Sequence, residues 1–169
     1  MQVSGWLTLM IAFGAACMDV WKEKVENRFL VCGWLLGLGY QLGARQSQGV
    51  LYFLAGAVLP VLMLWVLFLF RMLGPGDIKL LSVLGGIMGA ETVLFCIFYS
   101  FILGAILSLA FLITCGNFLQ RFSYFSDYIS TFLKTKKRVP YYFTGARPEN
   151  IHFTVPVLMG VMLYAGGFY

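Results

Sequence analysis

The segment that decides the fold is residues 50–72, which read VLYFLAGAVLPVLMLWVLFLFRM. Its first charged residue is Arg71, close to its end. A helix needs roughly 20 predominantly apolar residues to cross a hydrocarbon core about 30 Å thick. Because a helix satisfies its own backbone hydrogen bonds in that core, an uncharged run of this length predicts a transmembrane helix.

The whole chain has the composition of a membrane protein. Of its 169 residues, 60% are hydrophobic and 11% are charged. Soluble domains carry roughly a quarter of their residues as Asp, Glu, Lys and Arg. The composition argues against a disordered tail, a secreted disulfide scaffold and a nucleic-acid-binding module. We therefore expect a lipid bilayer as the surroundings and no nucleic acid as a partner.

Six apolar stretches approach or exceed the length of a membrane span. They predict an all-α integral membrane fold with six transmembrane helices in one polytopic domain, residues 1–169. The loop before the last span has apolar residues four and three apart, which predicts a partly amphipathic helix on the membrane surface. These residues are Phe118, Phe122, Phe125, Ile129 and Phe132. The predicted spans are 3–19, 29–44, 50–72, 77–91, 92–118 and 151–168.

The cations determine the expected orientation of the spans. Eleven of the twelve Lys and Arg residues fall in three connections, and only Arg45 lies on the opposite side. Cytoplasmic loops carry an excess of Lys and Arg, so these connections are predicted to be cytoplasmic and both termini to be outside. The eleven are Lys22, Lys24, Arg28, Arg71, Lys79, Arg121, Lys134, Lys136, Lys137, Arg138 and Arg147.

No metal or other cofactor is expected. The four cysteines form no CxxC pair, and the single histidine, His152, has no clustered ligands with which to hold zinc. We expect the cysteines to be small buried apolar residues and His152 to cap the start of the last span.

Two of the three aspartates occupy matching positions. Asp19 ends the first predicted span and Asp77 begins the fourth, both on the cytoplasmic side. Either carboxylate alone is typical of a helix that meets water, but two on one side indicate chemistry. Hydrolysis of a peptide by two carboxyl groups needs one ionised and one protonated group, and acids held close together share one proton. Asp19 and Asp77 are therefore the candidate catalytic residues, although the sequence does not show that they meet.

The segment around Asp77 reads Gly74-Pro75-Gly76-Asp77-Ile78-Lys79. Two residues without side chains flank a rigid proline, which lets backbone approach a ligand closely. A simple turn between spans is the alternative interpretation. Lys79 is compatible with an anchor at the membrane surface and with a charge that favours the ionised form of Asp77.

These residues carry a family resemblance. Gly74 to Lys79 resembles the GxGDxK signature of the type IV prepilin peptidases, integral-membrane aspartic proteases that include the preflagellin peptidases. Asp19 to Asn27 is similar to the family's first catalytic segment, with Asn27 eight residues after the acid and Val25 and Glu26 in place of Ile and Pro. The last span is similar to the family's final proline-containing helix, with His152 in place of its first proline.

The resemblance implies a compact prepilin leader peptidase without the cysteine-rich module of the long enzymes. Asp19 and Asp77 would be catalytic, and Gly74, Gly76, Lys79 and Asn27 would shape the site or contact the substrate. The substrate would be a prepilin or pseudopilin precursor, cut at the cytoplasmic face of the cell membrane between its short basic leader and its hydrophobic helix. The long enzymes also methylate the new amino terminus, and the sequence does not assign that activity here.

Two alternatives stay open at this point. A small transporter or an assembly subunit of a secretion machine would use the same aspartates for ion pairing or proton relay. A presenilin-like protease shares the GxGD motif but is larger, and it would cut within the apolar segment of its substrate. The sequence identifies neither the precursor, the filament or secretion system, the source organism nor the oligomeric state.

Overall fold

A computed structural model describes residues 3–22, 24–70, 72–114 and 152–169. These residues form six helices and no strand, which confirms the all-α prediction. The helices are α1 (Val3–Lys22), α2 (Asn27–Arg45), α3 (Ser47–Leu69), α4 (Pro75–Met88), α5 (Ala90–Thr114) and α6 (Thr154–Ala165).

The chain divides into two compact units. The first contains residues 1–104 and 152–169, and it holds both aspartates of interest. The second contains residues 105–151, of which the structure describes only the end of α5. The predicted amphipathic helix of residues 118–132 lies outside the described residues.

Helix α4 is the centre of the first unit. Every residue from Leu80 to Met88 is buried. The closest contact is with α3, where a Cβ atom added to Gly56 would lie 2.0 Å from the carbonyl oxygen of Gly85. Only residues without a side chain allow two helix backbones to come this close. The α3–α4 contact therefore fixes α4 in the bundle.

Polar side chains from neighbouring helices hold the buried length of α4. Ser82 Oγ donates to the carbonyl of Ala57 at 2.8 Å. Near the end of α4, Gln41 Nε2 donates to the carbonyl of Ile87 at 2.8 Å and Tyr52 donates to that of Met88 at 3.1 Å. The last carbonyls of a helix have no partner within the helix, so these side chains satisfy groups that would otherwise be unpaired.

Helices α1 and α6 form a second, looser contact. Near the start of α1, Ser4 Oγ lies 3.1 Å from the hydroxyl oxygen of Tyr164 at the end of α6. A Cβ atom added to Gly5 would lie 3.6 Å from the nearest atom of Ala165, which is ordinary van der Waals contact. The two helices therefore run in opposite directions, and the start of α6 lies beside the end of α1.

The helix boundaries differ from the predicted spans at the shortest connections. α4 ends before Gly89, which has a φ of 93°, whereas the predicted fourth span continues to residue 91. A left-handed backbone at this residue breaks the helix and starts α5 two residues earlier than predicted. Gln46, with a φ of 53°, likewise separates α2 from α3.

Three helices are long and apolar enough to cross a membrane: Val3–Lys22, Ser47–Leu69 and Ala90–Phe111. Their outward faces carry large apolar side chains, among them Met10, Leu62 and Ile106, which are 70%, 70% and 57% exposed. Water does not stabilise such surfaces, but lipid does. The chain is thus a helical membrane protein. Helix α6 is apolar but shorter, and the full count of six spans stays a prediction. The prediction of buried cysteines is wrong for Cys17 and Cys32, which are exposed on the outside of the bundle, whereas Cys96 is buried.

Candidate functional site

The candidate site lies at one end of the first unit. The starts of α2 and α4 are joined there by a side-chain hydrogen bond, as are the end of α1 and the start of α6. Asp77 on α4 lies within electrostatic range of Asp19 on α1. The opposite end contains the end of α4 and the start of α3, joined by the bond from Tyr52 to Met88. The predicted site residues Asp19, Asn27, Gly74, Gly76, Asp77 and Lys79 all belong to the first end.

The backbone of the GPGD segment positions Asp77. Gly74 is the N-cap of α4, Pro75 is its first residue and Asp77 stands in its first turn. The Asp77 carboxyl accepts a hydrogen bond from the backbone N–H of Gly74. In a capping box, the side chain at the third helical position likewise accepts a hydrogen bond from the backbone N–H of the N-cap residue. A Cβ atom on Gly74 would lie 3.2 Å from Asp77 Oδ2, so the glycine leaves room for the carboxyl group.

Side chains from the start of α6 position Asp19. Thr154 Oγ1 donates to Asp19 Oδ2 at 2.8 Å, and His152 Nδ1 lies 3.1 Å from the same oxygen. Thr154 is completely buried, whereas the side chains of Asp19 and His152 are 16% and 27% exposed. The Asp19 carboxylate is thus held firmly on one side and still reaches solvent.

The structure brings Asp19 and Asp77 together. The two carboxyl groups lie close enough for their charges to interact, and His152 lies within electrostatic range of Asp77 as well. The arrangement can supply an acid and a base at one place. The catalytic role of the two residues stays a prediction.

Two of the residues predicted to shape the site contact each other. Lys79 Nζ donates to Asn27 Oδ1 at 3.0 Å, and this bond joins the start of α4 to the start of α2. Both residues line an apolar cavity of about 330 Å³, together with Val31, Trp34 and Val61 among others. Lys79 and Asn27 therefore form a polar edge on an apolar cavity.

The glycines of the motif differ in their surroundings. Gly74 lies against the Asp77 carboxyl group, as described above. A Cβ atom on Gly76 would meet no described atom within 4 Å. Gly76 therefore leaves space open beside Asp77 without packing on it.

Sequence reasoning missed the role of the residues that precede and begin α6. The prediction that the His152 side chain caps the last helix is wrong, since Phe153 is the N-cap and no side chain of the described residues donates to or accepts from the cap. The ring instead contacts Asp19, and Thr154 does the same. The signal was weak, because these residues lie more than 130 positions from Asp19. The only trace was a polar residue where the related segment has proline.

One of three comparisons with known proteins identifies a family. No curated protein and no solved structure matches the chain. The model of the Type IV leader peptidase family matches residues 6–109, which include Asp19 and the whole segment from Gly74 to Lys79. His152 and Thr154 lie beyond the matched residues. This match spans more than half of the chain, and the protein therefore belongs to the Type IV leader peptidase family.

Proposed function

We propose that this protein is an aspartic endopeptidase that removes the basic leader from prepilin-like precursors at the cytoplasmic face of the cell membrane. The observation that carries the proposal is the proximity of Asp19 and Asp77, two carboxyl groups from different helices at one end of the bundle. Membership of a leader peptidase family supports the same reaction.

The pair has the chemistry that peptide hydrolysis requires. One ionised carboxylate takes a proton from water as the water oxygen bonds to the scissile carbonyl carbon. The protonated partner gives its proton to the carbonyl oxygen. When the C–N bond breaks, the first group passes its proton to the amine nitrogen and the second recovers one from the hydroxyl of the intermediate. Both aspartates end in their starting protonation states.

The distribution of charge supports a cytoplasmic site. Lys22, Lys24, Arg28 and Lys79 lie at the site end of the described helices, whereas Arg45 lies at the other end, over the ring of Tyr52. An excess of Lys and Arg is typical of the cytoplasmic side of a membrane protein. A site there meets water without a channel through the bilayer. The leader would then remain in the cytoplasm while the hydrophobic helix of the precursor stays in lipid.

The apolar cavity beside Lys79 offers a place for the first apolar residues after the scissile bond. Lys79, which lines this cavity, lies two residues after Asp77 in the chain. The other lining side chains include Leu30, Val31 and Val61. Its polar edge of Lys79 and Asn27 faces the end of the bundle that holds the aspartates. A substrate that is polar before the cut and apolar after it would match this change in surface.

The test is cleavage of a prepilin-like precursor co-expressed with the protein, followed by sequencing of the product's first residues. We expect the native chain to cut before the hydrophobic helix, and Asp19→Asn and Asp77→Asn to lose cleavage by about 10²-fold or more. Glu91→Gln is the matched control. Glu91 is an exposed carboxylate in the first turn of α5, beyond the far end of α4, and its variant should keep full activity.

The same experiment separates the alternatives. Full cleavage by Asp77→Asn in a folded protein would contradict the proposal and favour a transporter or an assembly subunit. A product that begins inside the apolar segment would favour a presenilin-like protease instead.

A further inference from the structure

The two aspartates receive different hydrogen bonds. Thr154 and His152 both approach Oδ2 of Asp19, at 2.8 and 3.1 Å. Neither contact involves Oδ1 of Asp19. Asp77 accepts from the backbone N–H of Gly74. Hydrogen bonds donated to a carboxylate favour its ionised form. Those donated by side chains can be removed one at a time by substitution. Among the described residues the site is therefore asymmetric, with two side-chain contacts on one oxygen of Asp19 and a backbone donor on Asp77.

Thr154 is built into the fold for this contact. Its side chain is completely buried, so its hydroxyl needs a partner within the protein. The hydroxyl donates to Asp19 on another helix rather than to its own backbone, which is the usual alternative for threonine at a helix start. A buried hydroxyl with this direction keeps the Asp19 carboxylate in one orientation.

The lysines near Asp19 are bonded to other residues, so Thr154 and His152 are the side chains that orient its carboxylate. Of the described residues, Asp77 faces it from α4 and His152 from the start of α6. On α1 itself, Lys22 donates to Glu26, and this contact holds the pKa of Glu26 below its usual range. Lys79 on α4 donates to Asn27. Both lysines thus have partners other than Asp19.

We infer that Thr154 and His152 are positioning residues that orient Asp19 as the general base of the pair. Asp19 then takes the proton from water, and Asp77 gives its proton to the scissile carbonyl oxygen. On collapse of the intermediate, Asp19 returns its proton to the amine and Asp77 recovers its own. The inference rests on the proposed function and adds an assignment of base and acid.

The test measures kcat and KM over a range of pH with a purified full-length enzyme and a synthetic precursor that joins a basic leader to an apolar helix. Thr154→Val and His152→Phe remove a donor while keeping the shape of the side chain. Thr154→Ser keeps the hydroxyl. His152→Asn keeps a donor at the place of Nδ1 but does not titrate.

We expect Thr154→Val and His152→Phe to lower kcat about tenfold with little change in KM. A factor of this size corresponds to the loss of one hydrogen bond to a charged group. The acid limb of their pH profiles should move upward by about one unit, because a carboxylate with fewer donors is harder to ionise. Thr154→Ser and His152→Asn should keep the acid limb where the native enzyme has it.

Unchanged pH profiles in both the Val and the Phe variant would overturn the inference. Equal losses in the conservative variants would do the same, since packing alone would then explain them. If Thr154→Val fails to fold, the two His152 variants decide, because that side chain is partly exposed. Failure of the proposed function has a different signature, in which the native enzyme leaves the precursor uncut or Asp19→Asn cuts it at the native rate.

Discussion

Asp77 and Asp19 are held by two different parts of the molecule. Asp77 stands in the first turn of α4. The rest of α4 is buried, and its glycines pack closely against glycines of α3. Asp19 stands near the end of α1 and depends on two side chains from the start of α6. One carboxyl group is thus fixed by backbone and core packing, and the other by side-chain hydrogen bonds. Changes in the contact between α3 and α4 should therefore affect folding, whereas changes in Thr154 or His152 should affect activity.

The largest effect should come from the helix contact that supports Asp77. Gly56→Ala places a Cβ atom 2.0 Å from the carbonyl oxygen of Gly85, so α3 and α4 must move apart. We expect the free energy of unfolding to fall by about 2 to 3 kcal/mol. The measurement is thermal or denaturant unfolding in detergent.

Gly5→Ala is the matched control on the α1–α6 contact. Its Cβ atom would lie 3.6 Å from Ala165, and alanine favours a helix over glycine by up to about 1 kcal/mol. Stability equal to the native protein or slightly above it is expected. Equal destabilisation by the two variants would remove the distinction between the two contacts.

The next effect concerns the motif glycines. Gly74→Ala brings a Cβ atom within 3.2 Å of Asp77 Oδ2, so the carboxyl group must shift. Small displacements of a reacting group are costly, and we expect kcat to fall about tenfold. Gly76→Ala meets no described atom and should act on KM instead, because it fills space that the substrate would use. Steady-state kinetics separate the two, and a lower kcat with Gly76→Ala alone would contradict this division.

A smaller effect should follow from filling the apolar cavity. Val31 lines this cavity and is 57% exposed, so a larger side chain fits there without disturbing the core. Val31→Phe should raise KM several-fold, by roughly 1 kcal/mol of lost substrate binding, with kcat unchanged. The control is Val66→Phe, at a residue of similar exposure on α3. An equal rise in KM for both variants would exclude the cavity as a binding place.

The smallest effect is expected for the bond between Lys79 and Asn27. Both side chains are exposed, so loss of the bond should cost less than about 1 kcal/mol of stability. Asn27→Ala and Lys79→Met, alone and combined, measure the coupling by a double-mutant cycle. A coupling near 3 kcal/mol would show that this bond is a main support of α4.

The helical character of the fold could be predicted from apolar runs. The long runs in α1, α3 and α5 are strong signals because lipid requires them. Gly89 set a boundary that hydropathy does not detect, since a positive φ leaves no trace in an apolar pattern. Asp77 and its glycines form a local motif and could be found from the sequence. The contacts of Thr154 and His152 with Asp19 could not, because they depend on how two distant helices pack.

The most direct test of the account is the rate of a single turnover for Asp19→Asn, Asp77→Asn and the double variant. Residues that act in one catalytic step behave as a unit, so removing both should cost little more than removing one. We predict that all three variants lose about the same factor relative to the native enzyme. Losses that multiply in the double variant, or native activity in either single variant, would contradict the claim that these two carboxyl groups form one catalytic pair.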